Sequence, residues 1–470
     1  MTGAKVEVSS SSEAYNVAYT WTISSVAALG GLLFGYDWVV IGGAKPFYEK
    51  FFHLVEPWQQ GWAMSCALVG CLVGALISGS LSDRFGRKRL LTVSGFLFVA
   101  SSLGTAMAGT FSHFVMWRIG GGVAIGLASN LSPMYIAEIS PAPARGRLVS
   151  LNQLTIVIGI LLAQFINWTI ARPVLPGATA LAILNSWNGQ VGWRWMFGVT
   201  AAPATLFFAA MFAVPESPRW LAQSGQPARA QRVLARVGGE AYSRQALADI
   251  QLSLGNEVAR ANFRELLEPK ARKILTLAIV LAVFQQWCGI NVIFNYAEEV
   301  FSAAGYSVSG ILFNIVVTGA VNLVFTFVAI SAVDKAGRRV LMMIGSAGLA
   351  VLYTFLGAGY RAGSQGFHML LLVVAAIAVY AMSLAPVTWV VISEIFPNRI
   401  RGEGMSVAVT ALWSACFILA YTFPLLNRNL GPATTFWIYA AICIAGFLFI
   451  KFGLPETKGK TLEEIEKLMG

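Results

Sequence analysis

The chain of 470 residues is 57% hydrophobic and only 12% charged, with a mean hydropathy of +0.67. A water-soluble protein of this length cannot hide so much apolar surface, so the composition excludes a soluble globular protein and indicates that the solvent is largely lipid. The net charge of +11 is compatible with a nucleic-acid partner, but the positions of the charges, described below, give another explanation.

Apolar runs of helical length recur along the whole chain, and about twelve of them reach the roughly 20 residues needed to cross a membrane. The sequence therefore predicts an all-α polytopic membrane protein with twelve transmembrane helices. The approximate spans are 21–43, 60–81, 90–109, 112–137, 150–170, 196–214, 274–299, 310–332, 340–359, 367–393, 405–425 and 433–453. The polar start, MTGAKVEVSSSSEAYNV, lacks the short apolar core of a cleaved signal peptide.

The first span carries an acid, Asp37, within the stretch GGLLFGYDWVVIGG at 30–43. A charge left in hydrocarbon costs about 2.5–3.5 kcal/mol on insertion scales, and ionisable groups inside membranes are usually functional. Arg118, in the fourth span, is the one basic residue inside a predicted span apart from Lys451 at the inner end of the last span. Two interpretations of Asp37 follow. It is either a structural carboxylate paired permanently with Arg118, or a proton carrier whose pKa Arg118 modulates.

The basic residues are distributed unevenly between the two sides of the membrane. If the N-terminus is cytoplasmic and twelve spans alternate, 26 of the 33 Lys and Arg residues fall on the inside. This is the positive-inside rule, which predicts that both termini are cytoplasmic. The basic charge is then explained by topology, and we expect no nucleic-acid partner.

The longest polar stretch divides the chain into two similar halves. SDRFGRKRL at 82–90 matches VDKAGRRVL at 333–341, and PESPRW at 215–220 matches PETKGK at 455–460. Duplicated six-helix halves with a site between them are typical of rocking transporters. The predicted divisions are a cytoplasmic tail (1–20), a six-helix bundle (21–214), a cytoplasmic linker with short surface helices (215–273), a second six-helix bundle (274–454) and a cytoplasmic C-terminal helix (455–470).

The motifs, taken in order, resemble the sugar porter family of the major facilitator superfamily. They are GGLLFGYD, RIGGGVAIGLASNLSPMYIAEISPAPARGRL, PESPRWL, QQWCGIN, VDKAGRR, VTWVVISEIFPNRIRG and PETKGKTLEE. Asp37 makes the chain resemble the bacterial proton–xylose and proton–glucose symporters more than the human facilitative glucose transporters, which hold Asn there. The resemblance implies the major facilitator fold and proton-coupled uptake of a monosaccharide, a hexose or pentose such as glucose or xylose. Facilitated diffusion is the alternative, and a non-transporting sugar sensor is a third.

Sugar hydroxyls both donate and accept hydrogen bonds, which neutral amides and indoles match without the penalty of burying a charge. QQWCGIN supplies three amides within seven residues. With these three, the resemblance implies a sugar-binding set of Gln153, Gln285, Gln286, Asn291, Asn322, Trp389 and Trp413. Four residues differ from those of the relatives. Thr200 stands where the xylose symporters have Glu. The other three, Ile160, Asn295 and Cys416, border the expected sugar pocket. The identity of the sugar therefore stays open.

Charged residues of the loop motifs resemble the salt-bridge network of the family at its inner face. We expect this network to favour the outward-facing state, in which the inner ends of the halves are closed together. Its members are Asp83, Arg84, Arg87, Glu138, Arg145, Glu216, Asp334, Arg338, Arg339, Glu394, Arg401 and Glu456. Anchoring to lipid head groups is the alternative for Arg87 and Lys88.

No residue pattern indicates an enzyme. His53, His113 and His368 fall at predicted outer helix ends, and no nucleophile–base or metal-ligand arrangement accompanies them. The five cysteines lie in apolar spans without metal-ligand spacing. We expect neither cofactor nor metal, and a monomer surrounded by membrane lipid in the inner or plasma membrane of the cell.

Overall fold

The computed structural model describes residues 15–175, 177–255, 263–396, 400–456 and 458. These residues form helices joined by short turns, with no β-strand among them. The predicted all-α architecture is confirmed. Most of the predicted C-terminal helix at 455–470 and most of the predicted tail at 1–20 lie outside the described residues.

The first half contains five long helices, a sixth span built from shorter pieces, and a short helix before that span. The sixth span, Asn188–Ala213, consists of a π-helical turn, α7 and α8. The helices are α1 (Val17–Phe51), α2 (Pro57–Phe85), α3 (Arg87–Ala106), α4 (Phe111–Ile139), α5 (Ala142–Ile170), α6 (Ala180–Asn185), α7 (Trp193–Gly198) and α8 (Ala201–Ala213).

Polar helices follow, and then the second half. The polar pair is α9 (Pro218–Gln223) and α10 (Pro227–Gly255), with a 3₁₀ turn at Phe263–Leu267. The second half consists of α11 (Pro269–Trp287), α12 (Ile290–Asn295), α13 (Ala297–Ala303), α14 (Val308–Ala336), α15 (Arg338–Arg361), α16 (Phe367–Met382), α17 (Leu384–Ile395) and α18 (Arg401–Gly453).

The last helix contains two spans rather than one. Gly431 interrupts it with φ 74° and ψ 166°, and Pro432 follows. A run of 52 apolar helical residues is far longer than the roughly 20 needed for one crossing. With α18 divided at Gly431, the eleven long apolar segments of the described chain give the twelve predicted spans.

The predicted end of the first span is wrong. Hydropathy places it at residue 43 and assigns Lys45 to an outer loop, whereas α1 continues to Phe51 and buries Lys45 to 2% exposure. The hydrophobic run ends early because Lys45 and Glu49 are charged, but their pairing keeps them inside the helix bundle.

Small residues bring the helices that carry Asp37 and Arg118 close to their neighbours. A Cβ atom on Gly35 of α1 would collide with the Ile156 carbonyl of α5, and one on Gly122 of α4 would collide with the Ala67 carbonyl of α2. Membrane helices pack closely where such residues let their backbones approach. The positions of Asp37 and Arg118 are therefore fixed by backbone-to-backbone packing.

The two halves touch where α1 and α5 end and α2 and α14 begin, a region named here the closed end. The Val174 N–H donates to Ser309 Oγ at 3.0 Å, and the rings of Trp168 and Phe313 lie 6.0 Å apart. The two halves also meet where α2 packs against α18. The opposite end, where the repeated loop motifs lie, is named the loop-motif end.

Candidate functional site

Asp37 and Arg118 form a buried ion pair between α1 and α4. Arg118 Nη1 donates to Asp37 Oδ1 at 2.8 Å, and Nη2 lies 3.4 Å from the Asp37 carbonyl oxygen. The two residues are 4% and 3% exposed. Asp37 Oδ2 is buried and has no hydrogen-bond partner. Only Oδ1 of the carboxylate is therefore engaged by Arg118, and the lone pairs of Oδ2 are not used by a described residue.

Apart from Arg118, the described side chains around Asp37 are apolar or uncharged. Arg118 lies over the ring of Phe197, 5.4 Å from its centroid. The hydroxyl groups of Tyr36 and Thr200 are buried and interact with each other, and Tyr36 also lies close to Asp37. A threonine hydroxyl does not titrate, so Thr200 supplies no second carboxylate for a proton relay.

Amides from the broken seventh span form a hydrogen-bonded chain. Gln285 Nε2 donates to the Tyr380 hydroxyl at 2.8 Å, Gln286 donates to Gln285, and Asn291 donates to Gln286. Asn291 Nδ2 also lies 3.8 Å from Cys416 Sγ. The chain follows the break between α11 and α12, where Gly289 has φ +87°. Three of the seven predicted sugar-binding residues are thus in mutual contact.

The other amides and Trp389 are placed differently. No hydrogen bond joins the side chains of Gln153, Asn322 or Trp389 to another described residue. Asn322 is 6% exposed, whereas Trp389 is 37% exposed. Their role in binding a sugar stays a prediction.

Trp413 lies against two aromatic side chains of the first half that sequence reasoning missed. Its ring centroid lies 6.0 Å from that of Phe34 and 5.9 Å from that of Trp38. Phe34 and Trp38 are four residues apart and so share one face of α1. That spacing was the available signal, but it does not reveal the partner on α18. The three rings form an aromatic cluster between the halves.

Several buried amide atoms near the boundary between the halves have no hydrogen-bond partner. They include Asn295 Oδ1 on α12, both polar atoms of the Gln164 side chain on α5, and Asn314 Nδ2 on α14. Asn295, Trp38 and Arg118 line a cavity of about 10 Å³, which is close to the smallest space that holds one water. Unsatisfied buried amides need a polar partner, and water or a hydroxyl-rich ligand would supply one.

In the first half, the loop motifs assemble around the start of α3. Glu216 Oε1 accepts the backbone N–H groups of Arg87 and Lys88, both at 3.0 Å. The Arg87 side chain pairs with Glu138 at 3.1 Å and Asp83 at 3.3 Å. The carboxylate of Glu216 thus satisfies backbone donors that a helix N-terminus leaves free.

The second half repeats this arrangement at the start of α15. Glu456 accepts the backbone N–H groups of Arg338 and Arg339 at 2.9 and 3.1 Å. The Arg338 side chain pairs with Glu394 at 3.2 Å. The sequence repeat therefore corresponds to a repeated helix cap held by an arginine–glutamate pair.

The ion pairs of this network that join described residues each stay within one half. Arg84 lies over the ring of Phe85, and Arg145 faces the solvent beside Glu138; neither forms an ion pair with a described residue. The side chains of Asp334 and Arg401 lie outside the described part of the chain. Within that part, the network braces each half separately at the loop-motif end.

Comparisons with known proteins find similarity to sugar transporters along almost the whole chain. Residues 23–469 match the sequence profile described as "Sugar (and other) transporter". The D-xylose-proton symporter of Escherichia coli (strain K12) is 39% identical, with 97% of this chain and 96% of that protein covered. The arabinose-proton symporter of Bacillus subtilis (strain 168) is 38% identical with the same coverage. A structure of the Escherichia coli xylose transporter in its inward open conformation superposes with a TM-score of 0.84, at 37% identity, covering 96% of this chain and all of that one.

Proposed function

The chain belongs to the sugar transporter family, and from this premise we propose that it carries a monosaccharide into the cell together with protons. It has the major facilitator fold, and the predictions of sugar transport and of no enzymatic activity are confirmed. The relatives named above carry xylose or arabinose with protons, so we expect a pentose or hexose as the substrate.

The buried pair of Asp37 and Arg118 is the observation that carries the proposal of proton coupling. A carboxylate with one engaged oxygen and one free oxygen can accept a proton on the free oxygen. When Asp37 is charged, Arg118 balances it; when Asp37 is protonated, the attraction is lost and α1 and α4 are released from each other. The proton therefore binds the two conformations of the protein with different free energies, which is what coupling requires.

The amide chain and the aromatic cluster are the proposed contacts for the sugar. The amides satisfy each other, so no buried polar group of Gln285 or Gln286 is left unpaired. Sugar hydroxyls can replace these bonds, and an indole face suits the apolar face of a pyranose ring. Gln153, Asn322 and Trp389 are assigned to the same site by the family resemblance.

The conformation supports alternating access. The halves meet at the closed end, and the distribution of basic residues assigns the loop-motif end to the cytoplasm. The closed end is then outside, and the structure represents an inward-facing form. Location in the plasma or inner membrane, cytoplasmic termini and a monomeric state are parts of the same proposal.

Uptake into proteoliposomes tests this function. First, a competition panel of pentoses and hexoses against labelled xylose identifies the substrate. Uptake is then measured with and without an inward proton gradient for the wild type, Asp37→Asn and the control Asp249→Asn, which changes an exposed acid on α10. We expect the gradient to drive accumulation above equilibrium in the wild type and control, whereas Asp37→Asn only exchanges sugar. Wild-type uptake that stops at equilibrium would identify a facilitator instead.

A further inference from the structure

Lys45 lies at the centre of a buried group of charges at the closed end. Its Nζ atom is 2.6 Å from Glu299, 3.2 Å from Glu49 and 3.4 Å from Glu298. Lys45 is 2% exposed and Glu49 is 4% exposed. A lysine is almost never buried to this extent unless it is paired.

The four residues come from both halves of the protein. Lys45 and Glu49 are one turn apart on α1, whereas Glu298 and Glu299 begin α13 in the second half. Lys50 approaches Glu298 from the rim, at 3.8 Å. The ring of Tyr296 also faces Lys45, with its centroid 5.8 Å from Nζ. The ammonium group therefore connects the two halves directly.

This connection exists only when α1 and α13 are together. If the closed end opens, Glu298 and Glu299 move away with α13, and Lys45 keeps only Glu49 of its own helix. The two arrangements differ in buried charge pairing, so they differ in free energy as well. Such a difference is what a residue needs in order to set the balance between two conformations.

We propose that Lys45 is a positioning residue of the transport cycle, the centre of an ionic latch with Glu298 and Glu299 that holds the closed end shut. The inference rests on the proposed function, because that function makes the closed end the outer gate and gives the latch its role of favouring the inward-facing state. None of the loop-motif residues takes part, so the latch acts at the opposite end from their network.

Removing the lysine does more than remove an attraction. Three carboxylates, Glu49, Glu298 and Glu299, would then face one another across the boundary between the halves, and like charges in a buried site repel strongly. Lys45→Met is therefore expected to open the closed end. Replacing Glu298 and Glu299 by Gln removes the attraction without creating this repulsion, and the triple variant with Lys45→Met should open less than Lys45→Met alone.

Hydrogen–deuterium exchange of the full-length protein in nanodiscs measures the opening. In Lys45→Met we expect about tenfold faster exchange in the segments 41–60 and 290–310, with slower exchange at the loop-motif end. The swap Lys45→Glu with Glu299→Lys should restore wild-type protection. Arg428→Met is the matched control: its pair with Glu56 also joins the halves but is more than half exposed, so little change is expected.

The outcomes separate the latch from the proposed function. Wild-type exchange in Lys45→Met, or a change no larger than in Arg428→Met, would overturn the latch even if proton-driven uptake is found. Faster exchange in a protein that never accumulates sugar would support the latch and overturn the proton coupling. If Lys45→Met does not fold, the Glu298→Gln/Glu299→Gln variant carries the test, and unchanged protection at the closed end would refute the proposal.

Discussion

The carboxylate of Glu216 occupies the space in which a side chain on Gly86 would begin. Gly86 has φ +96°, and this turn aims the first N–H groups of α3 at that carboxylate. Gly337 and Glu456 repeat the relationship in the second half, where φ is +93° and a Cβ atom would lie 2.7 Å from the Glu456 carboxylate. The glycine and the distant glutamate of each motif therefore act as one structural unit.

Gly86→Ala should destabilise the protein. Gly86 has φ 96° and ψ 159°, a backbone conformation that costs a residue with a side chain roughly 1–3 kcal/mol, and the new methyl group would also displace Glu216 from the start of α3. We expect a lower Tm and less protein inserted in the membrane, measured by thermal unfolding in detergent and by membrane yield. Gly146→Ala is the control, because no neighbouring atom lies within 4 Å of its added Cβ. Equal stability of the two variants would contradict the account of the cap.

Arg118→Met should behave like Asp37→Asn in transport. An unpaired carboxylate in an apolar site takes up a proton rather than remain charged, so Asp37 would no longer alternate between two states. Sugar exchange should persist while gradient-driven accumulation and the pH dependence of sugar affinity are lost. Because binding linkage is reciprocal, the wild type should show that pH dependence. The double variant should be no worse than Asp37→Asn alone; an additive further loss would assign Arg118 a separate role.

Gln286→Ala should weaken sugar binding. Loss of one buried amide partner costs about 1–3 kcal/mol, which corresponds to roughly five- to 150-fold in Kd. Isothermal titration or scintillation proximity binding measures the change. Gln245→Ala, on the exposed face of α10, serves as the matched control. Near-wild-type affinity in Gln286→Ala would remove this residue from the sugar site.

Both the indole N–H group and the flat ring surface of Trp413 should contribute to sugar binding. Trp413→Phe keeps an aromatic ring beside Phe34 and Trp38 but loses the N–H group, whereas Trp413→Ala loses the wall as well. We expect a moderate loss of sugar affinity in the first variant and a loss of about tenfold or more in the second. Equal affinities in all three proteins would place the sugar away from the aromatic cluster.

Sequence reasoning was most successful where a feature is local or repeated. Hydropathy predicted the spans, and the isolated charges of Asp37 and Arg118 stood out because nothing polar surrounds them. It failed for Lys45, since the partners that bury this lysine lie about 250 residues away on α13. Trp38 and Trp413 lie even farther apart along the chain, and no pattern within α1 reveals their contact. Gln153, Asn322 and Trp389 were assigned by resemblance alone, which names positions without giving contacts.

The interruption at Gly431 also bears on how the chain is made. The last two spans are separated by one non-helical residue rather than by a loop. We therefore expect the two segments to enter the membrane together, as a single helical hairpin. For the same reason this turn has no room for an inserted epitope tag, whereas the stretch around Leu175, with 80% of that side chain exposed, does.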